Sequence, residues 1–390
     1  MSRICLFALF GAFLLSIQGC GAIEMGFSMD LGSGEMGVDC QYTLGDDFSF
    51  DESLSADPVE QQITDRKEVS GEGDLDLIQS FQSSGGDSGQ SLAEAEGAGR
   101  VQLASESRID QEGISLSQTG SMSGDYGNME LLVWDREGTN GRAMTTGTVI
   151  EDLEADQAAS INPKGISLRQ KGSMSGDFGN MELSVRDREG TNARATTAGS
   201  TLNDLEADQT AGTGGSVFAG QTSRASGFYC LALAEAWWDG PGLDSRGTFT
   251  WGWANGNLAF QGGVRGDSQL LESYKSSQVY GLGMVHGSVA GNYQIIDREN
   301  PFSGWMAFPG YATVRSMNAF NFGTSDAVSY SRVDADEAII HQRAQASGQL
   351  FNWVYADSGD GSSGDEDSNF ATDAILNANA TPTTADAEVI

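Results

Sequence analysis

One stretch of this chain occurs twice, and the duplication limits the possible folds more than any other feature. Gly113 to Ala159 reads GISLSQTGSMSGDYGNMELLVWDREGTNGRAMTTGTVIEDLEADQAA. Gly165 to Ala211 reads GISLRQKGSMSGDFGNMELSVRDREGTNARATTAGSTLNDLEADQTA, at an offset of 52 and with 34 of 47 positions identical. A supersecondary unit repeated in tandem belongs to arrays and solenoids, whose units bury a face against their neighbours. Looser echoes flank the pair: Leu77 to Gln82 before a Gly-Asp-Ser-Gly stretch, and Asp297-Arg298-Glu299-Asn300.

The differences between the copies reveal strand geometry. Along a strand, successive side chains point to opposite faces. Met129, Leu131 and Val133 recur as Met181, Leu183 and Val185, whereas Leu132 becomes Ser184 and Trp134 becomes Arg186. A buried face does not accept Trp to Arg, and a wet face does. One parity is therefore expected to be core and the other to be solvent- or partner-facing, with Leu132 and Trp134 as a small outer apolar pair. Ile114 to Ser117 alternates as well. Gly120, Gly124 and Gly127, with Asp125 and Asn128, read as turn residues, as does Asp135 to Asn140. Val149 to Ala159 and Thr201 to Ala211 read as strand.

The second half is richer in aromatics, with six of the seven Trp between Trp237 and Trp353. Asn255-Gly256 is a type I′ hairpin signal. Counting outward from it sets Trp253 opposite Leu258 and Trp251 opposite Phe260, all on one face. Trp251, Trp253 and Phe260 are thus the candidate surface for stacking on sugar rings, set against the commoner reading of such a stripe as core. Asp334 to Gln345 is the best helix candidate, with a strand through Ile339-Ile340 as its alternative.

Charge and composition exclude several functions. With 21 basic and 55 acidic residues the formal charge is −34, so the chain repels phosphate backbones and anionic headgroups, and nucleic acid is not an expected partner. Glycine numbers 52 and proline only 6, a balance that fits neither collagen nor a proline-rich linker. Two histidines, His286 and His341, and four cysteines do not supply a zinc or haem site.

The start reads as an export signal. Arg3 precedes the 14-residue apolar or small-residue run Ile4 to Ile17, too short for a comfortable span, and the simplest cleavage follows Ala22. A lipid-modified Cys20 is the alternative. No later stretch is apolar enough to cross a bilayer as a helix, so the mature product is expected outside the cell or on its surface. Export permits a disulfide between the remaining pair, Cys40 and Cys230, or leaves two separate thiols or an intermolecular bridge.

Candidate chemistry is sparse. Gly86-Asp87-Ser88-Gly89 resembles a serine-protease nucleophile loop, but both histidines lie far downstream and a glycine-rich turn is the simpler reading. Asp135, Arg136 and Glu137 recur as Asp187, Arg188 and Glu189, as a repeated turn does and a catalytic site seldom does. Carboxylates in these turns and in the acidic tail are candidates for weak Ca²⁺ binding, although their spacing matches no dedicated calcium loop. Asn379 begins the one glycosylation sequon.

The blocks Gly-Ser-Met-Ser-Gly-Asp-(Tyr/Phe)-Gly-Asn-Met-Glu-Leu at 120–131 and 172–183 give the chain a style that resembles surface or sheath proteins of methanogenic archaea. That resemblance implies an envelope role with no catalytic residues. The expected fold is all-β, an elongated β-solenoid or stacked β-hairpin body, with two β-sandwich-like domains as the alternative. The expected layout is a signal peptide over 1–22 and a partly ordered acidic Ser/Gly-rich segment over 23–98. The tandem β-repeats follow over 99–215, then an aromatic-rich antiparallel β domain over 216–355 and an acidic disordered tail over 356–390. The expected function is a non-catalytic structural component that self-associates through strand edges or binds other envelope components. A carbohydrate-binding adhesin is the alternative, and a polysaccharide-acting enzyme the third reading.

Overall fold

A run in which every second residue is apolar builds a strand with one dry face, and such runs make up the computed structural model of this chain. The structure describes residues 3–5, 12–18, 21–30, 35–44, 48–57, 62–83, 85–110, 113–188, 191–214, 216–239, 245–266, 271–295, 305–307, 318–333, 338–355, 376–377 and 383–389. It is all-β, with no helix among these residues.

The chain divides into two units, Met1–Val185 with Ser200–Gly214, and Arg186–Gly199 with Gly215–Ile390. The first unit begins with β1 (Arg3–Cys5), β2 (Ala12–Gln18), β3 (Gly21–Asp30), β4 (Glu35–Leu44) and β5 (Ser49–Asp57). Long strands follow: β6 (Gln62–Gln82), β7 (Ser88–Asp110), β8 (Gly113–Trp134), β9 (Asn140–Asn162) and β10 (Gly165–Arg186). Next comes β11 (Asn192–Thr213), whose residues are shared between the units. The second unit continues with β12 (Val217–Asp239), β13 (Ser245–Gly266), β14 (Leu271–Ile295), β15 (Trp305–Ala307), β16 (Asn318–Val333) and β17 (Ala338–Tyr355). It closes with β18 (Leu376–Asn377) and β19 (Thr383–Val389). Apart from β1, which runs parallel to β3, the registered pairings are antiparallel, and the sheet stays open rather than closing into a barrel.

The long strands do not run straight. Gly73, Gly97, Gly124, Gly176, Gly256 and Gly281 each take positive φ near the middle of a strand, in the region that glycine enters freely. In the first unit the ladder slips by a residue or more at this line, between Gly71 and Leu75, Glu96 and Arg100, and Met122 and Gly124, whereas β13–β14 and β14–β16 cross it in unbroken register. In the second unit, Gly227, Gly256, Gly281 and Gly323 are successive register partners, one row of glycines across four strands. β6, β8, β9 and β12 are bent over at this line, so the two arms of each face one another. A Cβ on Gly120 would stand 3.2 Å from Met129 Cε, in the other arm of β8. One on Gly89 would stand 3.0 Å from Leu116 Cδ1, in the opposing arm of the next strand. β4 and β5 together serve as one bent strand, because β4 pairs with the second arm of β6 and β5 with the first.

The interior lies between the arms. Met129, Leu131, Val133, Met181 and Leu183 are 0% exposed and Val185 is 1% exposed. Leu132 and Ser184 are half-buried, and Trp134 and Arg186 are exposed, so the parity read from the two copies holds. Two positions pay for the bend without a glycine: Val149 in β9 and Thr201 in β11, both at φ 48°. A left-handed conformation costs an L-residue roughly 1–2 kcal/mol, while the extra chain entropy of glycine costs about 0.5–1 kcal/mol. Val149→Gly and Thr201→Gly are therefore each expected to raise the unfolding free energy by up to about 1 kcal/mol, and the denaturation midpoint with it. Lower midpoints for both variants would count against the bend.

Two expectations need correction. Asn255-Gly256 does not close a hairpin, since β13 runs unbroken through it and pairs with β12 on one side and β14 on the other. With neighbours on both flanks, the backbone hydrogen bonds run to those strands, and the Asn-Gly pair serves as the mid-strand bend. Trp253 is thus the partner of Leu231 and Met284, not of Leu258. Likewise, Ala338 onward is strand, not helix: Ile339 and Ile340 pair with Arg332 and Ser331, while 334–337 lie outside the described residues.

Candidate functional site

In β6 the apolar parity carries the sequence Ile63, Asp65, Lys67 and Val69, so two charged side chains enter the interior between two aliphatic ones. Lys67 Nζ donates to Cys40 Sγ of β4 at 2.7 Å. It lies 3.2 Å from Glu52 Oε1 of β5 and 3.3 Å from Asp65 Oδ2. Gln79 Nε2 donates to Asp65 Oδ2 at 2.8 Å, and the Ser105 hydroxyl donates to Gln79 Oε1 at 3.1 Å. One step along the same strands, Tyr42 and Phe50 stack with ring centroids 4.4 Å apart and shield the cluster. All these side chains are buried. Glu52 Oε2 and Asp65 Oδ1 have no hydrogen-bond partner among the described residues.

One ammonium between two carboxylates and a thiol has a definite electrostatic order. Burial, then the neighbouring Asp65, push Glu52 up to about 7 against the pull of Lys67. Burial pushes the Cys40 thiol up to about 12, so it stays protonated at neutral pH. Burial alone would lower Lys67, but Cys40, Asp65 and Glu52 together raise it instead. The ligand-type atoms of Cys40, Glu52 and Asp65 lie within 4.8 Å of one another. The Lys67 ammonium stands among them, so the cluster supplies its own cation.

The cluster begins a column of buried polar side chains, one per strand. Glu52, Lys67, Ser105, Gln118 and Gln157 are successive register partners. Gln170 and Gln209 follow at the equivalent places of the second copy. Each glutamine donates across the interior to a backbone carbonyl of the opposing arms: Gln118 to Leu92, Gln157 to Met129, Gln170 to Met144 and Gln209 to Met181, at 3.2, 3.1, 2.7 and 3.3 Å. Thr145 Oγ1 accepts from both Gln157 and Gln170. A buried amide that loses such a partner costs about 1–3 kcal/mol, so these donors fix which arm faces which. In the second unit Gln221 donates to Thr196 and Leu233 carbonyls at 3.2 and 2.9 Å. Lys275, also fully buried there, is held well below the usual lysine range by burial.

Residues singled out from the sequence fare unevenly. Cys40 and Cys230 are free and buried. Cys40 belongs to the charged cluster, and Cys230 Sγ donates to the Gly256 carbonyl at 3.7 Å, so the two separate thiols are what the structure contains. Trp253 and Phe260 do not share a face. Phe260 is 2% exposed, Trp253 lies on the other parity, half-buried beside Tyr229, and the Trp251 side chain is outside the described residues. Gly86 to Gly89 ends a tight turn, in which Ser83 N–H donates to Asp87 O. The Asp135 carboxylate accepts from Glu137 and Thr139 N–H groups at 2.8 Å, and Asp187 from Thr191 N–H at 2.9 Å, so both acids are engaged in shaping their turns. Cys20 and Asn379 lie outside the described residues, as do 356–375 of the acidic tail.

The charged cluster and the glutamine column escaped the sequence reading, though a signal existed. Gln118 and Gln170 are identical in both copies and share parity with Ile114 and Leu116, and with Ile166 and Leu168. Asp65 and Lys67 stand on the parity of Ile63 and Val69. Comparison with family models, with curated proteins and with solved structures found no match.

Proposed function

We propose that this chain is a non-catalytic, exported structural component of the cell surface or sheath, associating with further copies through its strand edges. The observation that carries this reading is the open sheet built from duplicated, bent-over rungs with a dry interior. A sheet that does not close presents unpaired backbone N–H and C=O groups, which another chain can pair. The strong negative charge supports a role for divalent cations: Ca²⁺ shared between surface carboxylates would relieve repulsion between copies. Residues 1–22 act as the export signal, and cleavage after Ala22 removes β1, β2 and the first two residues of β3, which frees the flank of β5 that β2 covers.

Electron microscopy of the purified mature chain with and without Ca²⁺ tests the reading. Ordered assemblies with a strand-spacing repeat near 4.8 Å are expected, more of them with the ion. A chain that stays monomeric at every concentration and Ca²⁺ level sinks the proposal.

A further inference from the structure

We propose that Lys67 and Glu52 become joined by an isopeptide bond formed inside the folded core, cross-linking β5 to β6. The inference stands on the geometry of the charged cluster and is independent of the envelope reading. Glu52 and Lys67 are direct register partners on adjacent antiparallel strands, so their side chains leave the sheet side by side. Both are sealed from solvent, at 4% and 1% side-chain exposure, and Nζ is already 3.2 Å from Oε1. Glu52 Oε2 has no hydrogen-bond partner among the described residues, which leaves it as the oxygen to depart. Asp65, 3.3 Å from the same nitrogen, is the base, and Gln79 steadies it at 2.8 Å.

The chemistry closes without any added reagent. The neighbouring Cys40, Asp65 and Glu52 favour the ammonium form of Lys67, so the reacting species is its minor neutral form, made when the ammonium passes one proton to Asp65 3.3 Å away. The neutral amine attacks Cδ of the protonated Glu52 carboxyl, forming the C–N bond. The tetrahedral adduct then expels its hydroxyl, which takes a proton from the nitrogen and leaves as water. The reactants are an ammonium, a carboxylate and a carboxylic acid. The products are an amide, water and a carboxylic acid on Asp65, with no net charge on either side. Burial keeps Glu52 protonated up to about pH 7, which supplies the electrophilic acid form under ordinary conditions. The same burial keeps the Cys40 thiol protonated, so it orients the amine by hydrogen bonding and does not compete for the acyl carbon. Reactants held in contact and shielded from water gain the large advantage of an intramolecular reaction. Asp65 is a poorer acceptor than Glu52, because it lies on the same strand as Lys67 and Gln79 already holds it.

Mass spectrometry of the folded full chain tests the proposal. The intact mass is expected to fall short of the sequence mass by one water. Proteolysis should release a branched peptide joining the segments that contain Glu52 and Lys67. Lys67→Arg and Glu52→Ala should each restore the full mass and give linear peptides. A folded wild-type chain with its full mass and linear peptides across both residues overturns the proposal. So does a one-water deficit that persists in Lys67→Arg.

Discussion

Replacing Lys67 with methionine is expected to cost about 3–5 kcal/mol at pH 8, the penalty for leaving buried charge without its partner. The substitution keeps the bulk of the side chain and removes the cation that stands 3.2 and 3.3 Å from two buried carboxylates. The loss should be smaller at pH 5, and the sign follows from linkage. Glu52 is raised to about 7 by burial even with Lys67 beside it, and without Lys67 it rises further. A carboxyl with a raised folded-state value contributes stability that is fully present below its unfolded value, about 4.3, and is lost as pH rises through the folded value. Lys67→Met should therefore unfold more easily at pH 8 than at pH 5, and Glu52→Gln added to it should flatten that dependence. Denaturant midpoints across this range check the prediction, and a pH-independent cost would remove the cluster from the account of stability. Should the Lys67–Glu52 bond form, the wild type gains a cross-link as well, and the gap to Lys67→Met widens.

Leu131→Ala should cost about 2–5 kcal/mol, while Leu132→Ser, one residue along, should cost no more than about 0.5 kcal/mol. Leu131 is fully buried, with Ser91 and Ala143 as register partners, and truncation would open a cavity between the arms. Leu132 faces outward, and the second copy already carries serine at the equivalent place, Ser184. Leu183→Ala should repeat the large effect. Paired denaturant titrations of the three variants decide the matter: similar losses for Leu131→Ala and Leu132→Ser would mean that the two parities do not divide core from surface.

Much of the fold was legible because the duplication supplied a comparison within a single sequence. Met129, Leu131 and Val133 against Met181, Leu183 and Val185 mark the strand, its alternation of faces and its dry side from residue identities alone. The fold-over at mid-strand was not legible, because a bend and a hairpin use the same chemistry. Asn255-Gly256 offers positive φ to either, and only the presence of β12 and β14 on both flanks decides between them. Phe260 drops out of the expected aromatic face for that reason, since reading a hairpin there put it on the wrong side. The charged cluster was hidden differently. Cys40, Glu52 and Lys67 come from three strands, and each alone reads as an ordinary surface or core residue. Asp65 and Lys67 conflicted with the apolar parity of β6, and such a conflict marks a place where composition departs from the simplest pattern for a reason of its own.

The mid-strand bend explains why the chain duplicates in steps of 52 residues rather than half that. Neighbouring strands run in opposite directions, so adding one strand would send every later arm the wrong way round and exchange the two kinds of connecting turn. Two strands form the smallest insertion that restores the original heading. Gene segments of that length could then be gained or lost while the rest of the ladder stays in step. The number of rungs becomes a quantity that recombination can adjust, and the reach of the protein can change without redesign of any single contact.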